Sequence, residues 1–104
     1  MKRFNSIEDI KRFAEESGSH FFSKDAMRFF RSRLVSETYG DDGEVFITSE
    51  QFVALDGYSE PRRYTVRMID VESGSVSDVS EWQEFETLAQ AKSFARQMTR
   101  QVAR

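Results

Sequence analysis

Arg63-Tyr64-Thr65-Val66-Arg67-Met68-Ile69, followed by the turn Ser73-Gly74, a second extended run from Val76 to about Trp82, and a helix opened by Thr87, is the stretch that decides the fold. In the first run Arg63, Thr65 and Arg67 alternate onto one face, the period-two signature of a strand. Gly74 supplies a turn, so the second run returns beside the first as an antiparallel partner. Thr87 is a good N-cap, and Leu88, Ala91, Phe94, Ala95, Met98 and Val102 then form one apolar stripe at helical spacing. This predicts a helix over about 87–103.

Working toward the N-terminus, Gln51 to Pro61 holds Gly57 and the only proline and reads as a loop. Before it, Glu44-Val45-Phe46-Ile47-Thr48-Ser49-Glu50 is rich in β-branched residues and is preceded by the turn composition Tyr39-Gly40-Asp41-Asp42-Gly43. This is the first expected strand. Ser6 caps a helix through about Glu16, with Ile7, Ile10, Phe13 and Ala14 on one face and Gly18 as its stop. A second helix is expected from Ser23 to Leu34, gathering Ala26, Met27, Phe29, Phe30 and Leu34 on its apolar side and placing Arg33 in that same face. The link Gly18-Ser19-His20-Phe21-Phe22 makes the pair a helical hairpin over about 6–34 with two aromatics under the turn. The expected fold is one α+β domain over 1–104, helix-helix-strand-strand-strand-helix. Its three-stranded antiparallel sheet, over about 44–83, is covered by the amphipathic helices.

The 104 residues suit a single core, which at this size buries roughly two-thirds of the surface of the unfolded chain. Ten Phe, three Tyr and one Trp can build it despite 32% charged residues. There is no cysteine, which removes disulfides and thiolate metal sites. Charge appears at Lys2 and Arg3 and no apolar run approaches the roughly 20 residues that span a bilayer, so a soluble cytoplasmic protein without membrane association is expected.

Charge is segregated along the chain. Glu37 to Glu60 carries seven acidic residues and no basic one, and Met68 to Ala91 carries six and again no basic one, within a net charge of −3. The cations gather at Lys24, Arg28, Arg31 and Arg33, at Arg62, Arg63 and Arg67, and at Lys92, Arg96, Arg100 and Arg104 on the last helix. Two readings compete for the middle arginines. Arg63 and Arg67 can pair across the sheet with Glu50, Asp78 or Glu81, or they can form a surface for a partner.

No residue set carries catalytic chemistry. His20 is the only histidine and sits between aromatics before a helix, a setting for capping or packing. Asp41, Asp42 and Glu44 lack the alternating ligand spacing of a calcium loop, and no glycine-rich phosphate loop exists. A non-enzymatic protein without cofactor or metal is therefore expected. Arg28, Arg31, Arg62, Arg63 and Arg67 are the candidate partner-binding residues, because arginine is enriched at interface hot spots. Asp41, Asp42 and Glu44 are the core of an alternative acidic surface that would imitate nucleic acid in a basic cleft.

Three resemblances bear on the partner. The order from Ser23 onward, with Pro61-Arg62-Arg63-Tyr64-Thr65-Val66 entering a strand and Ala91-Lys92-Ser93-Phe94-Ala95 in the last helix, looks like a double-stranded-RNA-binding domain in outline. That family's phosphate contacts come from a lysine cluster at the start of the last helix, where this chain has Lys92 alone, preceded by Glu81, Glu84 and Glu86. It is also similar to the three-stranded DNA-binding domains of phage-type integrases, which would use Arg63, Thr65 and Arg67 on an exposed sheet face. A third likeness lies in His20-Phe21-Phe22-Ser23-Lys24-Asp25-Ala26-Met27-Arg28-Phe29-Phe30-Arg31-Ser32-Arg33, Phe46-Ile47-Thr48-Ser49-Glu50-Gln51-Phe52 and Arg62-Arg63-Tyr64-Thr65-Val66-Arg67. These stretches resemble a family of small uncharacterised proteins of bacteriophage, plasmid and bacterial genomes, over about residues 20–95. The resemblance implies a phage or mobile-element accessory protein that binds a host protein; nucleic acid is the alternative partner.

Overall fold

A computed structural model of the chain describes residues 3–29, 31–51 and 53–102, apart from the side chains of Phe29 and of residues 99–102. The elements are α1 (Ile7–Glu16), α2 (Lys24–Phe29), β1 (Arg33–Tyr39), β2 (Val45–Glu50), β3 (Arg63–Ile69), β4 (Val76–Asp78) and α3 (Leu88–Val102). The four strands form one antiparallel meander in the order β1-β2-β3-β4. The expected α+β class holds, but the sheet has four strands and not three: β1 takes Arg33 and Leu34 from the expected second helix and adds Val35 to Tyr39, which carried no strand assignment.

The capping chemistry is as the sequence suggests. Ser6 Oγ accepts from Asp9 N, and Thr87 Oγ1 accepts from Gln90 N while Gln90 Oε1 accepts from Thr87 N, a reciprocal capping box. Gly18, at φ +88°, closes α1: its N–H reaches Glu15 O and the Ser19 N–H reaches Ala14 O, the pair of bonds that satisfies the last carbonyls of a helix.

The second helix is shorter than the apolar spacing implies. It ends at Phe29, where Arg31 N donates to Arg28 O and Ser32 N donates to Met27 O, the same closure that Gly18 provides in α1. Arg31 stands in glycine's place with φ +49°. Leu34 and Arg33 then belong to β1, so the helical hairpin over 6–34 is corrected to two helices followed by an edge strand. Phe21 and Phe22 do pack as expected, edge to face with ring centroids 4.8 Å apart. Arg33 is exposed at the start of β1 and not set in an apolar helical face. Arg33→Ala is accordingly expected to change the unfolding free energy by no more than about 0.5 kcal/mol in urea titration.

Three residues of β1, Val35 to Glu37, stand opposite Ile47 alone, a bulge that disrupts strict alternation. At the other edge β4 stops at Asp78. Ser80 Oγ accepts from Val66 N in place of a backbone carbonyl, and Gln83, at φ +56°, turns the chain before Phe85 rejoins Tyr64.

Helices cover both faces of the sheet. Phe46 and Ile69 pack with Phe4, Ile7, Ile10, Ala14 and Phe22 on one face; Val45, Ile47 and Val66 pack with Tyr39, Ala91 and Ala95 on the other. Glu37 ties β1 to α3, since Lys92 Nζ lies 2.9 Å from its Oε1 and Arg96 4.0 Å from its Oε2. The Lys92 hydrogen bond, followed by that from Tyr39 Oη, holds the Glu37 carboxyl below its ordinary pKa. Burial and the same carboxylate push the Tyr39 phenol up to about 12.

The turn between β1 and β2 anchors the N-terminal segment. Phe4 N donates to Asp42 O at 2.8 Å, and a Cβ on Gly43, at φ +72°, would run into the Phe4 carbonyl oxygen. Gly43→Ala should therefore cost about 2 kcal/mol or more, adding backbone strain to the displacement of buried Phe4. Gly18→Ala, where a Cβ meets open space, should cost only about 1 kcal/mol. Equal losses in chemical denaturation would show that the Phe4 contact does not matter.

Candidate functional site: an arginine-lined groove beside an apolar hollow

The middle arginines divide into buried and surface groups. Arg67 is only 8% exposed, and the neighbouring Glu50 is 2% exposed. Arg67 Nε donates to Thr48 Oγ1 at 2.8 Å and Nη1 to Asp78 Oδ1 at 2.6 Å, while Nη2 lies 3.7 Å from Glu50 Oε1. Its guanidinium also stacks over Phe21, 4.9 Å from the ring centre. Thr65 Oγ1 donates to Glu50 Oε1, leaving Glu50 Oε2 without a hydrogen-bond partner among the described residues. Cross-strand pairing with Glu50 and Asp78 is thus the outcome for Arg67, which forms no open partner surface. Arg63 stays at the surface, its side chain 39% exposed, and pairs within the chain: Nη2 lies 3.8 Å from Glu86 Oε1 and donates to Glu84 O.

This geometry corrects the integrase-like expectation of an exposed sheet face. Thr65 and Arg67 lie inside the molecule, under Phe21 and beside a buried carboxylate. Of the last-helix cations, Lys92 and Arg96 share Glu37, while the Arg100 side chain and Arg104 lie outside the described residues. So do Phe30, Phe52 and the Val102 side chain.

Arg28, Arg31 and Arg62 do come together, and Arg33 joins them. They line one groove of about 520 Å³ with Met27, Ser32 and Gln51, and no carboxylate is among its described lining residues. Three local features assemble it. The tight close of α2 carries Arg31, β1 starts immediately afterwards at Arg33, and Arg62 precedes β3 at the same end of the sheet. Arg62 Nη1 is bound by three acceptors, Arg31 O at 2.8 Å, Ser49 O at 3.1 Å and Ser49 Oγ at 3.1 Å, which lock the guanidinium in place. Burial, reinforced by the Arg33 and Arg31 charges, lowers the pKa of Arg62 despite the opposing influence of Glu50. An anion placed in the groove would relieve that crowding of like charge.

Next to the groove lies a hollow of about 320 Å³, lined by Phe21, Ala26, Met27, Ser32, Arg67 and Trp82. Met27 and Ser32 line both cavities. Sequence reasoning missed Arg33 because it placed that residue in the apolar face of the expected helix, and it missed the hollow because Trp82 was read as the end of a strand.

The acidic candidates serve the turn between β1 and β2. Asp41 and Asp42 are exposed, and Glu44 Oε2 accepts from Asp42 N at 2.9 Å. His20 is exposed before α2. Among the described residues no three His, Cys, Asp or Glu side chains come together in a way that would hold a metal ion. No described helix is long and apolar enough to cross a membrane.

Fold and site together define a small α+β protein with a four-stranded antiparallel sheet between helices and an arginine-lined groove at one end of that sheet. The chain belongs to a family of unknown function (DUF7447), whose model matches residues 6–96. Comparison with curated proteins and with solved structures gave no match.

Proposed function

We propose that this is a non-enzymatic accessory protein of a phage or mobile element that acts in the bacterial cytoplasm by binding a host protein. The binding surface is the arginine groove, and its target is an acidic stretch of that protein. The observation that carries this reading is the convergence of Arg28, Arg31, Arg33 and Arg62 on one groove without a lining carboxylate. The conformation of Arg31 supports it. A left-handed backbone costs an L-residue about 1–2 kcal/mol, and glycine at that position would remove the strain. Strain kept at a surface residue whose side chain enters a groove is best explained by what the side chain does there.

Arg31→Gly separates the two roles. Its folding stability should be unchanged or up to about 1 kcal/mol higher, while retention of a host protein from nuclease-treated lysate falls sharply. Arg28→Glu should abolish that retention, and raised salt should weaken it for the parent chain. Retention equal among the three proteins would sink the groove reading. If the retained material is nucleic acid, lost on nuclease treatment, the same four cations serve phosphates instead.

A further inference from the structure

The hollow beside the groove lacks an uncommitted charge among its described residues. Arg67, the ionic group in its wall, is engaged by Thr48, Asp78 and Glu50 and stacks over Phe21. What the hollow offers a ligand is the surface of Phe21, Ala26, Met27 and Trp82, the last 47% exposed. Its volume of about 320 Å³ is at the bottom of the roughly 300–1,000 Å³ range of small-molecule sites, a size suited to one large side chain. It shares Met27 and Ser32 with a groove whose described charged lining residues are all positive. A ligand lying across that shared wall meets cations on one side and an apolar cup on the other.

We infer that the partner is recognised through a short linear motif: an acidic segment lies in the arginine groove and one large apolar residue, such as Leu, Ile, Met or Phe, is seated in the hollow. This rests on the groove being a protein-binding surface. The groove draws in any acidic chain and sets its salt dependence; the hollow selects among them, because desolvated apolar anchors in pockets carry most of the energy of such contacts.

The test is selection of displayed, fully randomised peptides about ten residues long against the intact protein. The expected enriched sequences hold several Asp or Glu and one large apolar residue at a fixed distance from them. A synthetic peptide of that sequence should shift the emission of Trp82, the only tryptophan. Replacing its apolar residue by Ala should weaken binding by about tenfold or more, a comparison that needs no variant of the protein. Ala26→Phe, which fills the hollow, should erase the difference between the two peptides. Enrichment of acidic peptides with no fixed apolar position and no change at Trp82 would overturn the inference and leave the groove reading intact. Absence of acidic enrichment would overturn both. Self-association of the protein that Leu55→Asp abolishes would assign the hollow to a second copy, whose exposed Leu55-Asp56 tip supplies the same chemistry, and would also overturn the proposal.

Discussion

Arg67→Ala should lower the unfolding free energy by about 3–5 kcal/mol, because it leaves the Glu50 carboxylate buried without its cation. Thr65 alone would then donate to Glu50, and Thr48 and Asp78 would lose a donor as well. The loss exceeds what an exposed ion pair contributes, roughly 0–1 kcal/mol, since solvent cannot replace the missing partner at a residue 2% exposed. Replacing both partners tests the cause. Glu50→Leu combined with Arg67→Met removes both charges and keeps apolar volume, so it should recover most of the stability that Arg67→Ala loses. Urea unfolding of the three variants decides: a double variant no better than Arg67→Ala would show that packing, not the orphaned carboxylate, sets the cost.

Phe46→Ala should be comparably damaging, at about 3–5 kcal/mol. Phe46 is fully buried, its ring centre 5.8 Å from that of Phe22 and 6.3 Å from that of Phe21. It is the point where the central strand β2 meets the aromatic link between α1 and α2. Since single domains are stable by only about 5–15 kcal/mol, this one truncation removes a large part of the total. Phe46→Leu, which keeps most of the volume, should cost under about 2 kcal/mol in the same denaturation experiment. Similar costs for Leu and Ala would mean that the aromatic contacts, and not the filled volume, stabilise this face.

The parts of the fold that were legible in the sequence are those where local chemistry and tertiary packing agree. Ser6, Gly18 and Thr87 mark helix ends through their own side chains or lack of one, and β2 and β3 combine β-branched residues with clear turns around them. The second helix failed for a physical reason. Its stop is an arginine in the conformation that glycine favours, so no residue type announced it, and the spacing of Met27, Phe30 and Leu34 imitated a continuing helical face. The bulge opposite Ile47 then hid β1, because Val35 to Glu37 do not alternate in register with their neighbour. Legibility of the site follows the same division. Arg28, Arg31 and Arg62 were recognisable as candidate partner residues, whereas Arg33 was set in the apolar face of the overlong helix. The burial of Arg67 depended on Phe21, some forty-six positions away in the chain, which no local pattern connects to it.

The sheet is anchored unevenly, and this shapes how the molecule breathes. Every residue of β2 is buried, and β2 and β3 are each hydrogen-bonded to strands on both sides. Their amide protons are expected to be the slowest in the domain to exchange with solvent. The rim of the groove is built differently, from a six-residue helix, a one-turn closure and the segment leading into β3. Such a rim is expected to open at a lower free energy than the sheet, so the side chains of Arg28, Arg31 and Arg33 can be rearranged around an incoming chain while Arg62 and the buried Glu50–Arg67 pair stay in place.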